Sequence, residues 1–171
     1  MGWFGCVYFG TQDWGVASLI FPLIAWVLLK LAFELNRTSL FRLFVLLVVG
    51  LTFDSIAMYS GLIEILQPTL DGFLPINDVL PINGFLPMWL ISLWLLFIAS
   101  LPLLHSLFRK KYFLAAILGA IFGPLSYRGG TQFGILTMNG STAIIIYAIF
   151  WAVYIPLAVF WLSPKEIQNE N

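Results

Sequence analysis

The sequence predicts an all-α fold, a polytopic transmembrane helical bundle with five full spans, one short N-terminal membrane segment and both termini cytoplasmic. Three features lead there. The chain is 61% hydrophobic and 9% charged, against about 25% charged residues in soluble domains, and its mean hydropathy is +0.97. Apolar runs of membrane-spanning length recur along it. Seven of its eight basic residues fall in three places that alternate with those runs. A spanning helix takes about 20 residues, so 171 residues hold these spans as one integral-membrane domain.

The first element, residues 1–12, is apolar and aromatic but short. Twelve helical residues rise about 18 Å, against a hydrocarbon core of about 30 Å. It reads as a half-helix, an interfacial segment or the tail of a longer helix starting upstream of Met1. Thr11-Gln12-Asp13 separates it from the first full span, 15–33, which carries Pro22. The remaining spans are 43–63, 86–107, 112–132 and 143–162, the last with Pro156. Proline is tolerable in such helices because neighbouring groups take up the freed carbonyls.

Charge sets the orientation. Lys30, Arg37 and Arg42 flank the connection after 15–33; Arg109, Lys110 and Lys111 fill the one after 86–107; Lys165 follows the last span. By the positive-inside rule that side is cytoplasmic, and both termini are then inside. The opposite connection, 64–85, carries Asp71 and Asp78 and no Lys or Arg, and repeats Leu-Pro-Ile-Asn at 74–77 and 80–83. Its prolines exclude a continuous helix. It reads as an apolar loop on the outer membrane surface or as a lid. The first residues carry no secretory pattern, and Cys6 stands where a myristoylation motif needs Ser or Thr.

Much chemistry is excluded. Zero net charge argues against nucleic acid as a partner. Cys6 and His105 are each the sole residue of their type, so no disulfide, Cys-based metal set or two-His metal motif is available. Phosphate loops, nucleophile elbows and His-Glu-x-x-His are missing. No cofactor and no metal are expected.

The residue with the most to explain is Asp54, in the middle of the apolar run 43–63. On insertion scales a carboxylate at that depth costs about 2.5–3.5 kcal/mol, so it should face protein, a polar partner or water. Arg128 is the one basic residue off the basic side, about 9 Å further out if midpoints mark the bilayer centre. Either it snorkels to outer phosphates or it pairs with Asp54. In 112–132, Gly119, Gly123, Ser126 or Tyr127 and Gly130 form one small-residue face. That face suits helix packing, including a homo-oligomer through Gly119/Gly123, or a thin cavity wall beside Pro124. Trp94 and Phe97, three apart, suit core packing or the floor of an apolar pocket. Tyr147, Trp151 and Tyr154 make a similar stripe. His105 lies near a helix C-terminus, where the dipole favours it when protonated; as a general base it has no carboxylate nearby in sequence to orient it. The candidates are therefore Asp54, Tyr127 and His105 for catalysis and Trp94, Phe97, Gly123, Ser126, Tyr127 and Arg128 for ligand binding.

Gly2-Trp3-Phe4, Asp54, Leu93-Trp94-x-x-Phe97 and Gly119-Ala120-x-x-Gly123-Pro124-x-Ser126-Tyr127-x-x-Gly130 together resemble a family of small bacterial inner-membrane proteins catalogued as domain of unknown function 2878. The resemblance covers nearly the whole chain, and its most specific part is the Gly-Ala-x-x-Gly-Pro-x-Ser-Tyr element. It implies a first helix that starts some residues upstream, a shorter outer loop, and genes that neighbour lipid-modifying methyltransferases and flavin-dependent oxidoreductases. It implies no catalytic residues.

Three functions are compatible with these residues. The first is a protein that binds or modifies membrane lipid acyl chains or headgroups in a pocket between the spans 43–63, 86–107 and 112–132, with Asp54 as polar anchor. The second is a non-enzymatic scaffold or subunit for lipid-modifying enzymes. The third is a small transporter or channel using Asp54.

Overall fold

Backbone N–H and C=O groups find no partner in hydrocarbon, so the apolar runs close their hydrogen bonds within helices. The computed structural model describes residues 2–11, 15–33, 35–66 and 86–162. In chain order it contains α1 (Gly2–Thr11), a 3₁₀ turn (Gly15–Leu19), α2 (Ile20–Ala32), α3 (Arg37–Tyr59), β1 (Ile63–Ile65), α4 (Met88–Phe108), α5 (Tyr112–Gln132), β2 (Leu136–Met138) and α6 (Gly140–Trp161). Four helices, α3 to α6, are long and apolar enough to cross a membrane. The chain is thus a predominantly α-helical protein with the hallmarks of a membrane protein.

The span expected over 15–33 takes a different form. It is a 3₁₀ turn followed by a helix of 13 residues, shorter than the roughly 20 that a full span takes. Pro22 sits in the first turn of α2, where its missing N–H and fixed φ are tolerated. α3 starts earlier than hydropathy alone suggests, because Asn36 caps it by accepting from the Ser39 N–H at 2.8 Å. Asp54 consequently lies within about two turns of the helix end rather than at its midpoint. The repeated Leu-Pro-Ile-Asn loop and Lys165 lie outside the described residues.

The architecture is not purely helical. α3 and α5 both end in a glycine of positive φ, Gly61 (72°) and Gly134 (68°). In each, the glycine N–H bonds three residues back and the following N–H five residues back (Gly61 to Met58 and Leu62 to Ala57; Gly134 to Thr131 and Ile135 to Gly130). This is the Schellman ending, which only a residue without Cβ strain adopts freely. Each chain then runs into a short strand, and β1 and β2 pair antiparallel with Glu64 opposite Thr137. Asn139 adds a side-chain bond to the Gly61 carbonyl at 2.8 Å.

The two halves therefore repeat one plan, helix–Schellman glycine–strand–helix. Gly50, Asp54 and Gly61 of α3 stand where Gly123, Tyr127 and Gly134 stand in α5. A Cβ on Gly50 would strike the Trp94 ring of α4, and one on Gly123 would strike the Trp151 ring of α6. These two indoles stack on each other, 5.3 Å between centroids and 8° from parallel. At the opposite end, Arg42 Nη1 donates to the Trp161 carbonyl at 2.8 Å, which ties the start of α3 to the end of α6. α1 and the 3₁₀ turn lie against α4: the Ser18 and Ser92 hydroxyls share a buried bond of 2.7 Å, and the Trp3 ring covers Gly129 of α5.

Candidate functional site

Asp54 is fully buried, and three donors from three different helices converge on its carboxyl group. Trp94 Nε1 of α4 donates to Oδ2 at 2.6 Å. The Tyr127 hydroxyl of α5 lies 2.8 Å from Oδ1 and 2.6 Å from Oδ2. The Tyr147 hydroxyl of α6 donates to Oδ1 at 2.9 Å. Each donor is itself buried, and the rings of Tyr127 and Tyr147 pack 4.2 Å apart. The local reason for the convergence is steric. Gly50, one turn before Asp54, lets the Trp94 ring lie against α3, so that its N–H reaches the carboxyl. About two turns further on α6, Tyr154 donates to the Leu46 carbonyl of α3 at 2.7 Å. Without Cβ at position 50, and with a phenol or indole on each of α4, α5 and α6, α3 is bound to the other three long helices through polar bonds.

Beside this hub is a cavity of about 730 Å³. Its walls come from α1, α2, α4, α5 and α6, and β2 adds Leu136. Among the described residues the lining contains no Lys, Arg, Asp, Glu or His. Trp94 and Tyr127 belong to both structures: their rings line the cavity while their polar atoms bond Asp54 behind it. Ser100 and Ser126 line it too, but each donates to its own helix, to the carbonyls of Phe97 (2.6 Å) and Gly123 (2.7 Å). The cavity is closed toward the strands by Val7, Trp89, Leu90 and Leu136, all buried. Toward the basic ends of α2 and α4 it is open, where Leu28, Ala32 and Leu103 are exposed.

The expected site residues divide accordingly. Trp94, Phe97, Gly123, Ser126 and Tyr127 all line the cavity. Asp54 does not; it stands one layer behind, in contact through Trp94 and Tyr127. Arg128 is exposed and neither lines the cavity nor bonds Asp54. Of the two alternatives for Arg128, the pair with Asp54 is therefore not formed. The physical reason is that neutral phenol and indole donors already fill both carboxyl oxygens. His105 is 6% exposed near the end of α4 and lies outside the cavity lining.

The Gly119/Gly123 face is used within the chain. A Cβ on Gly119 would collide with the Trp151 carbonyl, and one on Gly123 with the Trp151 ring. α6 covers the face, so it is not open to a second copy. Tyr147 and Trp151 are the participants that residue patterns missed. The signal was present in the Tyr147-Trp151-Tyr154 stripe, because buried phenols and indoles need polar partners. Two of the indoles remain without one: Trp89 Nε1 and Trp151 Nε1 are buried with no acceptor among the described residues. Among those residues no group of three or more His, Cys, Asp or Glu is placed to hold a metal ion.

Comparison with curated proteins finds no match, and comparison with solved structures finds none either. A protein-family model does match, over residues 1–157. The chain thus belongs to the family described as proteins of unknown function, DUF2878.

Proposed function

We propose that this chain is a multi-pass protein of the bacterial inner membrane, with both termini cytoplasmic and 15–33 serving as a fifth span, and that it holds the apolar part of a membrane lipid in the cavity beside Asp54. The observation that carries the reading is the cavity itself. Ligand pockets occupy about 300–1,000 Å³ and are lined mostly by apolar and aromatic side chains; here the volume is about 730 Å³ and no described residue of the wall is charged. The residues at its open side, Leu28, Ala32 and Leu103, are exposed and apolar, so a lipid chain meets apolar side chains at the entrance. The basic residues Lys30, Arg37, Arg42 and Arg109–Lys111 cluster toward that end, which by the positive-inside rule is the cytoplasmic side.

In this reading Asp54 is the fixed polar point that positions two wall residues, Trp94 and Tyr127. A buried carboxyl held by three donors costs less than a bare one, and it sets the rotamers of the rings that the ligand meets. The test is lipid analysis of membranes from a deletion strain complemented with wild type, Asp54→Asn or Ala32→Trp at matched protein level. Ala32 is exposed at the open side, so an indole there fills the entrance without entering the core. A lipid species restored by wild type and not by Ala32→Trp supports the reading. Equal restoration by all three proteins overturns it and favours a scaffold for lipid-modifying enzymes.

A further inference from the structure

The repeat is a pseudo-two-fold, and its contacts come in matched pairs. Glu64 faces Thr137 at the centre of the strand pair. On either side, the Leu66 N–H bonds the Ile135 carbonyl at 3.0 Å and the Asn139 N–H bonds the Leu62 carbonyl at 2.9 Å. Within the bundle Trp94 stacks on Trp151. Trp94 also meets Tyr154 edge-on at 5.7 Å, and Trp151 meets Phe97 edge-on at 5.0 Å. Taken from the matched pairs Gly50–Trp94 and Gly123–Trp151, Phe53 of α3 corresponds to Ser126 of α5, while Tyr147 and Phe150 of α6 correspond to Leu90 and Leu93 of α4. The two places are filled differently. Phe53 and Phe150 lie face to face, 3.7 Å between centroids and 6° from parallel, with the Tyr147 ring edge-on to Phe53 at 5.0 Å. Ser126, Leu93 and Leu90 instead all line the cavity, whose wall α1 and α2 complete. Three rings on one side of the axis are thus one hydroxymethyl and two isobutyl groups on the other, and the difference is open space.

We infer that the end of the bound lipid tail seats against Leu93 and Ser126, in the space that Phe53, Phe150 and Tyr147 fill across the axis, and that the small side chain of Ser126 admits it. This rests on the cavity being a lipid site, as proposed above. Protein interiors are close-packed, and the filled side shows that this helix arrangement accepts rings at these positions around the Trp94–Trp151 stack. The open side has the same backbone plan with smaller side chains, so an apolar group from outside the chain completes the packing there. Burial of each methylene favours that by the ordinary hydrophobic gain. Ser126 acts by its size, because its hydroxyl is turned to its own helix and donates to the Gly123 carbonyl at 2.7 Å. Leu93 stands about 15 Å along α4 from Leu103 at the opening and one turn from Leu90 and Trp89 at the closed end. A tail that reaches it has therefore passed along most of the cavity.

The test uses the full chain in phosphatidylethanolamine vesicles in which a fraction of the lipid carries a diazirine at the end of one acyl chain. After irradiation the labelled residues are mapped by peptide mass spectrometry. In wild type, label is expected at Leu93 and Ser126, and also at Val48 and Val49 on the exposed face of α3, which serve as the reference for bilayer contact. In Ser126→Phe the label in the cavity should fall about tenfold against that reference, the effect of denying the tail room for about two methylenes. Ser126→Ala removes the hydroxyl and keeps the room, so it should label as wild type does. Cavity label unchanged in Ser126→Phe, or wild-type label confined to Leu28, Ala32 and Leu103 at the opening, overturns the inference and leaves the lipid cavity standing. A loss in Ser126→Ala equal to that in Ser126→Phe overturns the role of size. Wild type labelled at Val48 and Val49 but nowhere in the cavity overturns both readings. Should Ser126→Phe not fold, Leu93→Phe fills the same space from α4 and is read in the same way, and the position of the wild-type label decides in any case.

Discussion

Replacing Asp54 tests whether the carboxyl acts through its hydrogen-bond geometry. Leucine at position 54 keeps the branched shape, with bulkier methyls in place of both oxygens, leaving Trp94, Tyr127 and Tyr147 without their acceptor. Side-chain hydrogen bonds between membrane helices contribute about 0.6–1.7 kcal/mol each, so Asp54→Leu should lose roughly 2–5 kcal/mol. Asparagine behaves differently, and the structure dictates its orientation. The Trp94 N–H cannot accept, so the amide oxygen must take the Oδ2 place, facing Trp94 and Tyr127. The amide nitrogen then faces Tyr147, whose hydroxyl can turn and accept. All partners remain paired, and Asp54→Asn should cost about 1 kcal/mol or less. Reversible unfolding in mixed micelles, followed by tryptophan fluorescence, measures both. A leucine variant within about 1 kcal/mol of wild type would mean that the three bonds contribute nothing net. An asparagine variant as damaged as the leucine one would show that the carboxyl charge, not donor geometry, holds the hub.

Other variants separate packing from site. Gly119→Ala forces a methyl against the Trp151 carbonyl; overpacking of this kind costs about 1–3 kcal/mol, visible as faster proteolysis of the solubilised protein. Tyr154→Phe removes the bond to the Leu46 carbonyl and should cost about 0.6–1.7 kcal/mol in the same unfolding assay. Arg128→Ala, at an exposed position away from the cavity, should change stability by no more than about 0.5 kcal/mol and restore the lipid profile of the deletion strain as wild type does. Failure to restore it at matched protein level would mean that a headgroup reaches the outer face of α5.

The helices were legible where chemistry marks their ends. α5 is bounded by Arg109–Lys111 before it and by Gly134 after it, and its limits follow from those residues. The segment 15–33 was less legible, because hydropathy counts apolar residues and does not register that those before Ile20 wind as a 3₁₀ turn. The strands were invisible for a different reason. Three residues each, they exist only because two Schellman turns far apart in sequence place β1 and β2 side by side. At the site, the cavity residues Trp94, Phe97, Gly123, Ser126 and Tyr127 stood out as small or aromatic positions on one helix face. The partner of Asp54 did not. Depth and opposite charge offered only Arg128, as the alternative to its snorkelling outward, whereas the structure uses neutral donors 40, 73 and 93 residues away, and no local pattern encodes a separation of that kind.

The repeat explains why one acid suffices. Each half packs an indole over a helix glycine, Trp94 over Gly50 and Trp151 over Gly123, and each indole carries an N–H into a buried layer. A symmetric chain would place a carboxyl beside each and bury two acids within one stack, which like-charge repulsion and desolvation oppose. Here the second position is Tyr127, a donor that adds to the first carboxyl instead of repeating it. The gain is a hub with three donors on one acceptor. Its consequence is a buried Trp151 N–H with no acceptor among the described residues. Tyr127→Glu offers an acceptor at the second position, removes one donor from the first and buries a second carboxyl beside it. It should unfold more readily than Tyr127→Phe in the same assay, because like-charge repulsion and desolvation are added to the lost bond. A Tyr127→Glu protein as stable as Tyr127→Phe would refute the argument that the fold excludes a second acid.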